Sequence, residues 1–257
     1  MKKVSQKTKK TEQEILAKDV MKIALRDYIS GVRDETFVHR DDGYRDREPI
    51  ERYFKTYNDW TEVEKILLNS VKGRVLEIGC NIGEHLRYLQ EKGLYAVGID
   101  ISPGAVELAK EREVKNVFLM DARKMTFKDK SFDTVLILYY GFGLGGTIDN
   151  QKKMLKDIYR ITTDNGKIIC SSIDALKTEH PCHIAYQDYN KRRGKAYGNI
   201  TQVTLRIQHK NKFGRRYDLL FINPEGLSQL VKNTGWKISE VIPEKKGGRA
   251  WYYILRK

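Results

Sequence analysis

Short apolar segments alternate with amphipathic segments through the middle of the chain. Apolar runs of strand length are separated by turns and by stretches in which apolar residues recur with helical spacing. The predicted strands are 74–78, 95–99, 117–120, 132–138 and 167–171, and the predicted helices are 83–92, 103–112 and 150–161. Strands that alternate with helices pair in parallel, because each helix carries the chain back along the sheet. The pattern therefore predicts a doubly wound, mostly parallel α/β sheet.

The alternation ends after Ser172. Segments 201–209 and 215–222 have strand character and are joined by a turn, which predicts an antiparallel hairpin. Asn223 and Pro224 suit the cap and first position of a further helix. Segments 236–242 and 250–255 predict a closing strand pair, so the complete sheet has seven strands with an antiparallel last strand. We expect the residues at about 174–222 to form an inserted cap.

The N-terminal part is predicted to be helical rather than part of the sheet. Its predicted elements are a disordered tail at 1–10, a helix from Thr11 to Gly31, a loop at 32–46, a helix from Pro49 and a helix from Thr61. We therefore divide the 257 residues into a basic tail with an N-terminal helical extension, 1–70, and a core that carries the cap, 71–257.

Two segments account for the formal net charge of +14. Residues 1–10 contain five lysines and no acid, and residues 189–216 contain nine lysines and arginines and no acid. A surface of this kind suits a polyanionic partner. A solvated tail and a solvated hairpin would have the same composition, so both interpretations stay open.

Several classes of protein are excluded by composition. The apolar content of 40% is typical of a globular protein, and no apolar run reaches the ~20 residues of a membrane-spanning helix. No apolar segment follows the lysines at the start, so we expect no secretory signal. Cys80, Cys170 and Cys182 are too few for a disulfide scaffold and suit a reducing cytoplasm. We expect a cytoplasmic protein.

The first predicted core strand leads into a glycine-containing turn and a helix. The turn reads Glu77-Ile78-Gly79-Cys80-Asn81-Ile82-Gly83. Glycines allow a ligand to approach the backbone at the N-terminus of a helix. The second strand ends about 20 residues later at Asp100, whose carboxylate suits the two hydroxyls of a ribose. The third strand ends at Asp121, and in open α/β sheets ligands bind at these carboxyl ends.

These residues resemble the ordered motifs of class I S-adenosylmethionine-dependent methyltransferases, of the methyltransferase type 11 kind. The resemblance rests on Glu77-x-Gly79-x-Asn81-x-Gly83, on Asp100, on Asp121-Ala122 and on the segment 131–135. It implies that the glycine turn faces the methionine part of the cofactor, that Asp100 binds the ribose, and that Asp121, Ala122 and Ile101 lie by the adenine. The implied cofactor residues are Glu77, Gly79, Cys80, Asn81, Gly83, Asp100, Ile101, Asp121, Ala122 and Leu138. Asn81 departs from the family pattern, where glycine is usual.

The sequence also bears on three other interpretations. An NAD-binding domain is disfavoured because Gly-x-Gly-x-x-Gly is absent. A non-catalytic module that binds an adenosine cofactor stays as a remote alternative. His180, Cys182 and His183 are potential metal ligands, but no distant second pair accompanies them, and we expect no metal.

The resemblance implies transfer of the cofactor's methyl group to a nucleophile. The cofactor supplies the reactive group, so alignment and exclusion of water are the protein's main tasks. If a general base is used, the candidates are Tyr139, Tyr140, His183 and Tyr186. The oligomeric state is not predicted.

Two substrate classes compete. The position of the cap resembles that in methyltransferases of small molecules, and arginine forks suit an anionic group. The candidate substrate-binding residues are Arg192, Arg193, Arg206, Arg215 and Arg216. A small, anionic molecule is therefore our first expectation. RNA bound by the basic cap and tail is the alternative.

Overall fold

The computed structural model describes residues 19–257, and its main element is a seven-stranded sheet. The strand order is β11-β12-β7-β6-β3-β4-β5. The strands are β3 (Val75–Ile78), β4 (Ala96–Asp100), β5 (Val117–Leu119), β6 (Phe132–Ile137), β7 (Thr162–Ile173), β11 (Lys237–Pro243) and β12 (Ala250–Arg256). From β5 to β7 all pairs are parallel, whereas β12 is antiparallel to both β7 and β11. The predicted fold class is confirmed.

In the described part of the chain, five of the seven helices begin after a residue whose side chain caps the helix N-terminus. The helices are α1 (Val20–Ile29), α2 (Glu62–Asn69), α3 (Glu84–Glu91), α4 (Pro103–Glu111), α5 (Ile148–Ile161), α6 (Pro181–Arg192) and α7 (Pro224–Leu230). Thr61 caps α2 by accepting from the Glu64 backbone N–H at 3.2 Å, and Ser102 caps α4 by accepting from the Ala105 N–H at 3.1 Å. The central strands β3 and β6 are apolar and buried, because helices cover both faces of a parallel sheet.

A second sheet lies over the carboxyl edge of the first, and we call it the cap sheet. It has the order β10-β8-β1-β2, with the short strand β9 paired to β8. Its strands are β1 (Thr36–Arg40), β2 (Arg45–Arg47), β8 (Ile200–His209), β9 (Lys212–Phe213) and β10 (Tyr217–Ile222). The pairing of β8 with β10 confirms the predicted hairpin.

The prediction of a loop at 32–46 is wrong. Residues Thr36–Arg40 form β1, which pairs antiparallel to β8 with Val38 opposite Ile207. A strand this short is stabilised by its partner, and the partner lies more than 150 residues away in the chain. The N-terminal segment and the cap thus build one sheet, and the division at residue 70 stays a prediction.

The remaining N-terminal predictions are met in part. The helix from Pro49 is replaced by two 3-10 turns, Ile50–Phe54 and Tyr57–Asp59. The helix predicted from Thr11 to Gly31 begins only at Val20, after the N-cap Asp19, and ends at Ile29. The part of that prediction before residue 19 and the tail at 1–10 lie outside the described residues. Helix α1 packs on α4, where Arg26 binds Glu107 and Glu111 at 2.7 Å each.

Candidate active site

The turn after β3 has a left-handed backbone at three positions, at the carboxyl edge of the sheet. Gly79, Asn81 and Gly83 have φ values of +75°, +48° and +79°. This left-handed region is open to glycine and tolerated by asparagine. The Asn81 side chain supports the turn, because its Oδ1 accepts from the Ile82 N–H at 2.8 Å. The departure from the family pattern at Asn81 is thus compatible with the turn.

Asp100 connects this turn to β4. Its Oδ2 accepts from the Asn81 N–H at 2.9 Å, and its Oδ1 accepts from the Ser102 N–H at 2.8 Å. Burial raises the pKa of Asp100, against the opposing effect of these two backbone donors. Each carboxylate oxygen can accept a second bond, so the side chain retains capacity for two hydroxyl donors. Ile101 follows with 63% exposure, an apolar surface open to a flat ring.

Glu77, at the end of β3, has one oxygen in use and one without a partner. Its Oε1 contacts His85 Nδ1 at 2.7 Å, and His85 Nε2 contacts Glu64 Oε1 at 3.0 Å. All three side chains are buried. Burial lowers the pKa of His85, but the two carboxylates outweigh it and raise that pKa to about 9. A protonated His85 between two ionised glutamates gives the group a net charge of −1. This negative charge complements a cationic ligand.

The remaining predicted cofactor residues lie along the same edge. Asp121 follows β5 and is held by a bidentate contact with Arg123, which lowers the pKa of its carboxyl. Ala122 is half-buried and Leu138 is buried beyond β6. Cys80 is buried in the turn, and burial raises the pKa of its thiol. A protonated, enclosed thiol can pack but is a poor nucleophile.

Tyr139 and Tyr140, at the end of β6, are held in a strained backbone. Their φ values are +50° and +63°, a rare conformation for aromatic residues and one often found at functional sites. The Tyr139 ring stacks on His85 with centroids 5.1 Å apart. The Tyr140 N–H donates to Ser171 Oγ at 2.8 Å, and its hydroxyl donates to Glu244 Oε1 at 3.0 Å. Burial and nearby carboxylates raise the pKa of both tyrosines, so their hydroxyls are protonated at neutral pH.

A cavity with about 700 Å³ of space, open solvent included, separates the cap sheet from the carboxyl end of β7. Its walls combine apolar and charged side chains. The lining residues are Val38, Arg40, Tyr44, Asp46, Ala175, His183, Tyr186, Gln187, Thr201, Val203, Leu205, Phe221 and Arg249. Since β7 neighbours β6, and β6 neighbours β3, the cavity, the tyrosine pair and the glycine turn follow one another along one edge of the main sheet.

Of the four candidates for a general base, two line this cavity. His183 Nδ1 accepts from Arg40 Nη1 at 3.0 Å, because an arginine can only donate. The Tyr186 hydroxyl donates to Asp41 Oδ1 at 2.7 Å and accepts from the Thr204 N–H at 3.3 Å. The side chains of His183 and Tyr186 are thus both held by hydrogen bonds within the protein.

The five predicted substrate arginines are not gathered around the cavity. Arg193 binds Asp41 at 2.8 Å and stacks on Tyr189. Arg206 stacks over Phe213 with its guanidinium carbon 4.3 Å from the ring centroid. The exposed members of the set are Arg192, Arg193, Arg215 and Arg216. None of the five lines the cavity, and their role in substrate binding stays a prediction.

Arg40 and Arg249 are the cavity cations that the sequence analysis missed. Both lie outside the two acid-free basic segments, and acidic residues accompany them in the sequence, so runs of net charge gave no signal for them. They meet only because β1 joins the cap sheet and because residue 249 precedes β12.

One potential metal-ligand group occurs among residues 19–257, formed by Asp27, Asp34 and His209. The ammonium of Lys210 contacts Asp27 at 2.6 Å and Asp34 at 3.2 Å. The Lys210 ammonium therefore already neutralises carboxylate charge at this position.

Comparisons with known proteins agree with this geometry. Residues 76–170 match the model of a methyltransferase domain family. The chain is 30% identical to an uncharacterized protein of Methanocaldococcus jannaschii over 138 residues, 49% of this chain and 61% of the relative. It is 28% identical to a demethylmenaquinone methyltransferase of Streptomyces griseus over 117 residues, 45% of this chain and 49% of the relative. The chain thus spans only about half to three-fifths of these relatives.

A solved structure resembles almost the whole chain. It is a SAM-dependent methyltransferase from Bacteroides fragilis in complex with S-adenosylhomocysteine, at 25% identity and a TM-score of 0.77. The similarity covers 93% of this chain and 95% of that one. The fold and the cofactor motif are therefore those of class I S-adenosylmethionine-dependent methyltransferases. The cofactor of this class is S-adenosylmethionine.

The residues of the turn fit that cofactor. The unpartnered Oε2 of Glu77 is a buried acceptor that suits an ammonium group such as that of the methionine part. The exposed Ile101 and the spare acceptor capacity of Asp100 suit an adenine and a ribose. Among residues 19–257, no helix is long and apolar enough to span a membrane.

Proposed function

We propose that this chain transfers a methyl group to a small organic molecule that carries an acid group. The observation that supports the proposal is the cavity under the cap sheet, whose walls combine apolar side chains with two arginines. When bound, S-adenosylmethionine supplies an electrophilic methyl group. The substrate would lie between the cap sheet and the end of β7, beside Tyr140.

The protein's own groups would act by binding and orientation. Glu77 and Asp100 hold the cofactor at one side of the Tyr139–Tyr140 pair, and the cap cavity holds the substrate at the other side. The raised pKa values keep both tyrosine hydroxyls protonated at neutral pH, so they act as hydrogen-bond donors rather than bases. Holding two reactants in contact can by itself lower a barrier by on the order of 7–11 kcal/mol.

An RNA substrate is the second candidate, and the outer face of the cap sheet favours it. This face is opposite to the cavity and carries Phe37, His39, Arg45, Arg206 and Phe213, as strand alternation requires. Arg45 lies 3.3 Å from the Phe37 centroid and Arg206 lies 4.3 Å from the Phe213 centroid. Arginine and aromatic side chains on a sheet are a typical platform for single-stranded nucleic acid.

Methyl transfer from labelled S-adenosylmethionine tests both candidates. The protein is incubated separately with an ultrafiltered small-molecule extract and with total RNA from the same cells. We expect label to enter the small-molecule pool and the product to be retained on an anion exchanger. Asp100→Ala should reduce transfer, and Lys246→Gln, an exposed change far from the turn, should not. Label that enters only nuclease-sensitive RNA would support the second candidate. A labelled small molecule that passes the exchanger would contradict the acid group.

A further inference from the structure

One cation of the cap cavity contains a buried nitrogen without a partner. The Nε of Arg249 is buried and has no hydrogen-bond acceptor among residues 19–257. Its backbone carbonyl accepts from the Asp174 N–H at 2.7 Å, which fixes the residue beside the end of β7. Burying an unpaired N–H costs free energy, so this side chain would gain from a ligand acceptor.

Arg40, the second cavity cation, is already engaged. Its Nε and Nη2 bind the Asp42 carboxylate at 2.8 and 2.7 Å, and Nη2 also donates to the Cys182 carbonyl. Its guanidinium carbon lies 4.0 Å from the ring centroid of Tyr186 and 4.6 Å from that of Tyr44. Arg40 therefore forms part of the wall.

Arg40 also determines which nitrogen of His183 carries the proton. Burial, together with the positive charges of Arg40 and Arg249, lowers the pKa of His183, so the ring is neutral at physiological pH. Because Nδ1 accepts the bond from Arg40, the proton of the neutral ring resides on Nε2. The cavity thus contains a second donor, the Nε2–H of His183.

We infer that Arg249 and the Nε2–H of His183 bind the acid group of the substrate, a carboxylate or a phosphate. The inference rests on the proposed function and assigns residues to it. A guanidinium suits both kinds of anion, because two parallel N–H groups match two oxygens. The apolar side chains of Val38, Val203, Leu205 and Phe221 would contact the body of the molecule.

Asp46 limits the charge of the ligand. Its carboxylate lies at the exposed rim of the same cavity. A second acid group near this rim would be repelled, whereas an amine there would be attracted. The ligand class is therefore an acid with one anionic group on an apolar body, and a polyanion is disfavoured in the cavity.

Binding of small acids to the protein saturated with S-adenosylhomocysteine tests the subsite. Benzoate and phenyl phosphate are the probes for the two acid types, with benzyl alcohol and benzylammonium as neutral and cationic references. Affinities are measured by ligand-observed NMR titration. We expect at least one acid to bind more tightly than both references. Arg249→Gln should weaken that acid by about ten- to a hundredfold, the loss expected when one charged hydrogen-bonding partner is removed.

Lys246→Gln is the matched control, because it removes one positive charge from the same connection between β11 and β12 at an exposed position outside the cavity. It should leave the acid's affinity unchanged. The inference is overturned if neither acid binds better than benzyl alcohol, or if Arg249→Gln binds the acid as the unaltered protein does.

Cofactor affinity and a conservative variant distinguish loss of the acid-binding site from loss of folding. The affinity for S-adenosylhomocysteine shows whether each variant is folded. If Arg249→Gln fails this check, Arg249→Lys replaces it, and a several-fold weaker acid affinity with unchanged cofactor affinity is expected because the fork is lost. If labelled methyl groups reach no small molecule while acid binding still depends on Arg249, the proposed function fails and the subsite stands.

Discussion

The Asp100 carboxylate combines an observed structural role with a predicted role in binding the ribose. It holds the Asn81 and Ser102 amides, and it keeps acceptor capacity for the ribose. We expect Asp100→Ala to weaken S-adenosylmethionine binding by about 1.5–3 kcal/mol, the range for hydrogen bonds to a charged group. Calorimetry measures the change, with Asp164→Ala as a control, since Asp164 is an exposed partner of Lys130. Unchanged affinity in Asp100→Ala would contradict the ribose assignment.

His85 makes stability depend on pH. Its folded pKa of about 9 lies above the ordinary histidine pKa of 6.5, so the protonated ring stabilises the native state. This contribution is complete below pH 6.5 and is lost as the pH rises through about 9. Its size is on the order of 3 kcal/mol.

Denaturant titrations at several pH values measure this dependence. His85→Gln should be less stable than the unaltered protein at pH 6, and the difference should shrink toward pH 9.5. The variant serves as the reference, because titrating groups that do not contact His85 contribute equally to both proteins. A difference that does not change with pH would show that His85 is not charged in the native state.

At the scale of elements, the turn after β6 and strand β10 approach at van der Waals distance. A Cβ added at Gly143 would lie 1.9 Å from the Leu220 carbonyl oxygen, and this oxygen is backbone and cannot move aside. We expect Gly143→Ala to destabilise the protein by about 1–3 kcal/mol through overpacking. Gly141→Ala is the control, because its Cβ would meet nothing closer than 3.5 Å. Equal thermal midpoints for the two variants would refute this packing.

At the scale of the whole molecule, the N-terminal segment and the cap depend on each other. Val38 and Ile207 are paired across β1 and β8 and point to the same face. Paired strand residues have Cα separations of about 4.5–5.5 Å, within the range of a disulfide. We expect Val38→Cys with Ile207→Cys, in a Cys182→Ser background, to cross-link on mild oxidation, as a shift in non-reducing electrophoresis.

The control for this cross-link is Val38→Cys with Gln208→Cys. Residue 208 is adjacent in sequence, but its side chain lies on the opposite face of the sheet, so this pair should remain reduced. Cross-linking of the control at the same rate would mean that the register differs from the one described.

The sequence alone was sufficient to predict the main sheet and the cofactor motif, because both are encoded by patterns of neighbouring residues. The strand–turn–helix unit at Glu77–Gly83, the acid after β4 and the alternation of strands and helices are all continuous in the chain. Strand ends that share one sheet edge are brought together by parallel topology itself, so Asp100 and the glycine turn could be placed without coordinates. The neutralising contact of Arg123 on Asp121 is likewise local.

Only the tertiary structure decided how the cavity under the cap sheet is built. Strand β1 has five residues, and its partner β8 is remote, so the pairing depends on long-range packing that no local pattern reports. The dense run of cations at 189–216 pointed to the cap, yet strand alternation turns Arg206 away from the cavity. The cavity cations are instead Arg40 and Arg249, which lie outside the acid-free basic segments. Strand pairing and side-chain direction place them in the cavity, and the density of charge along the sequence does not report either.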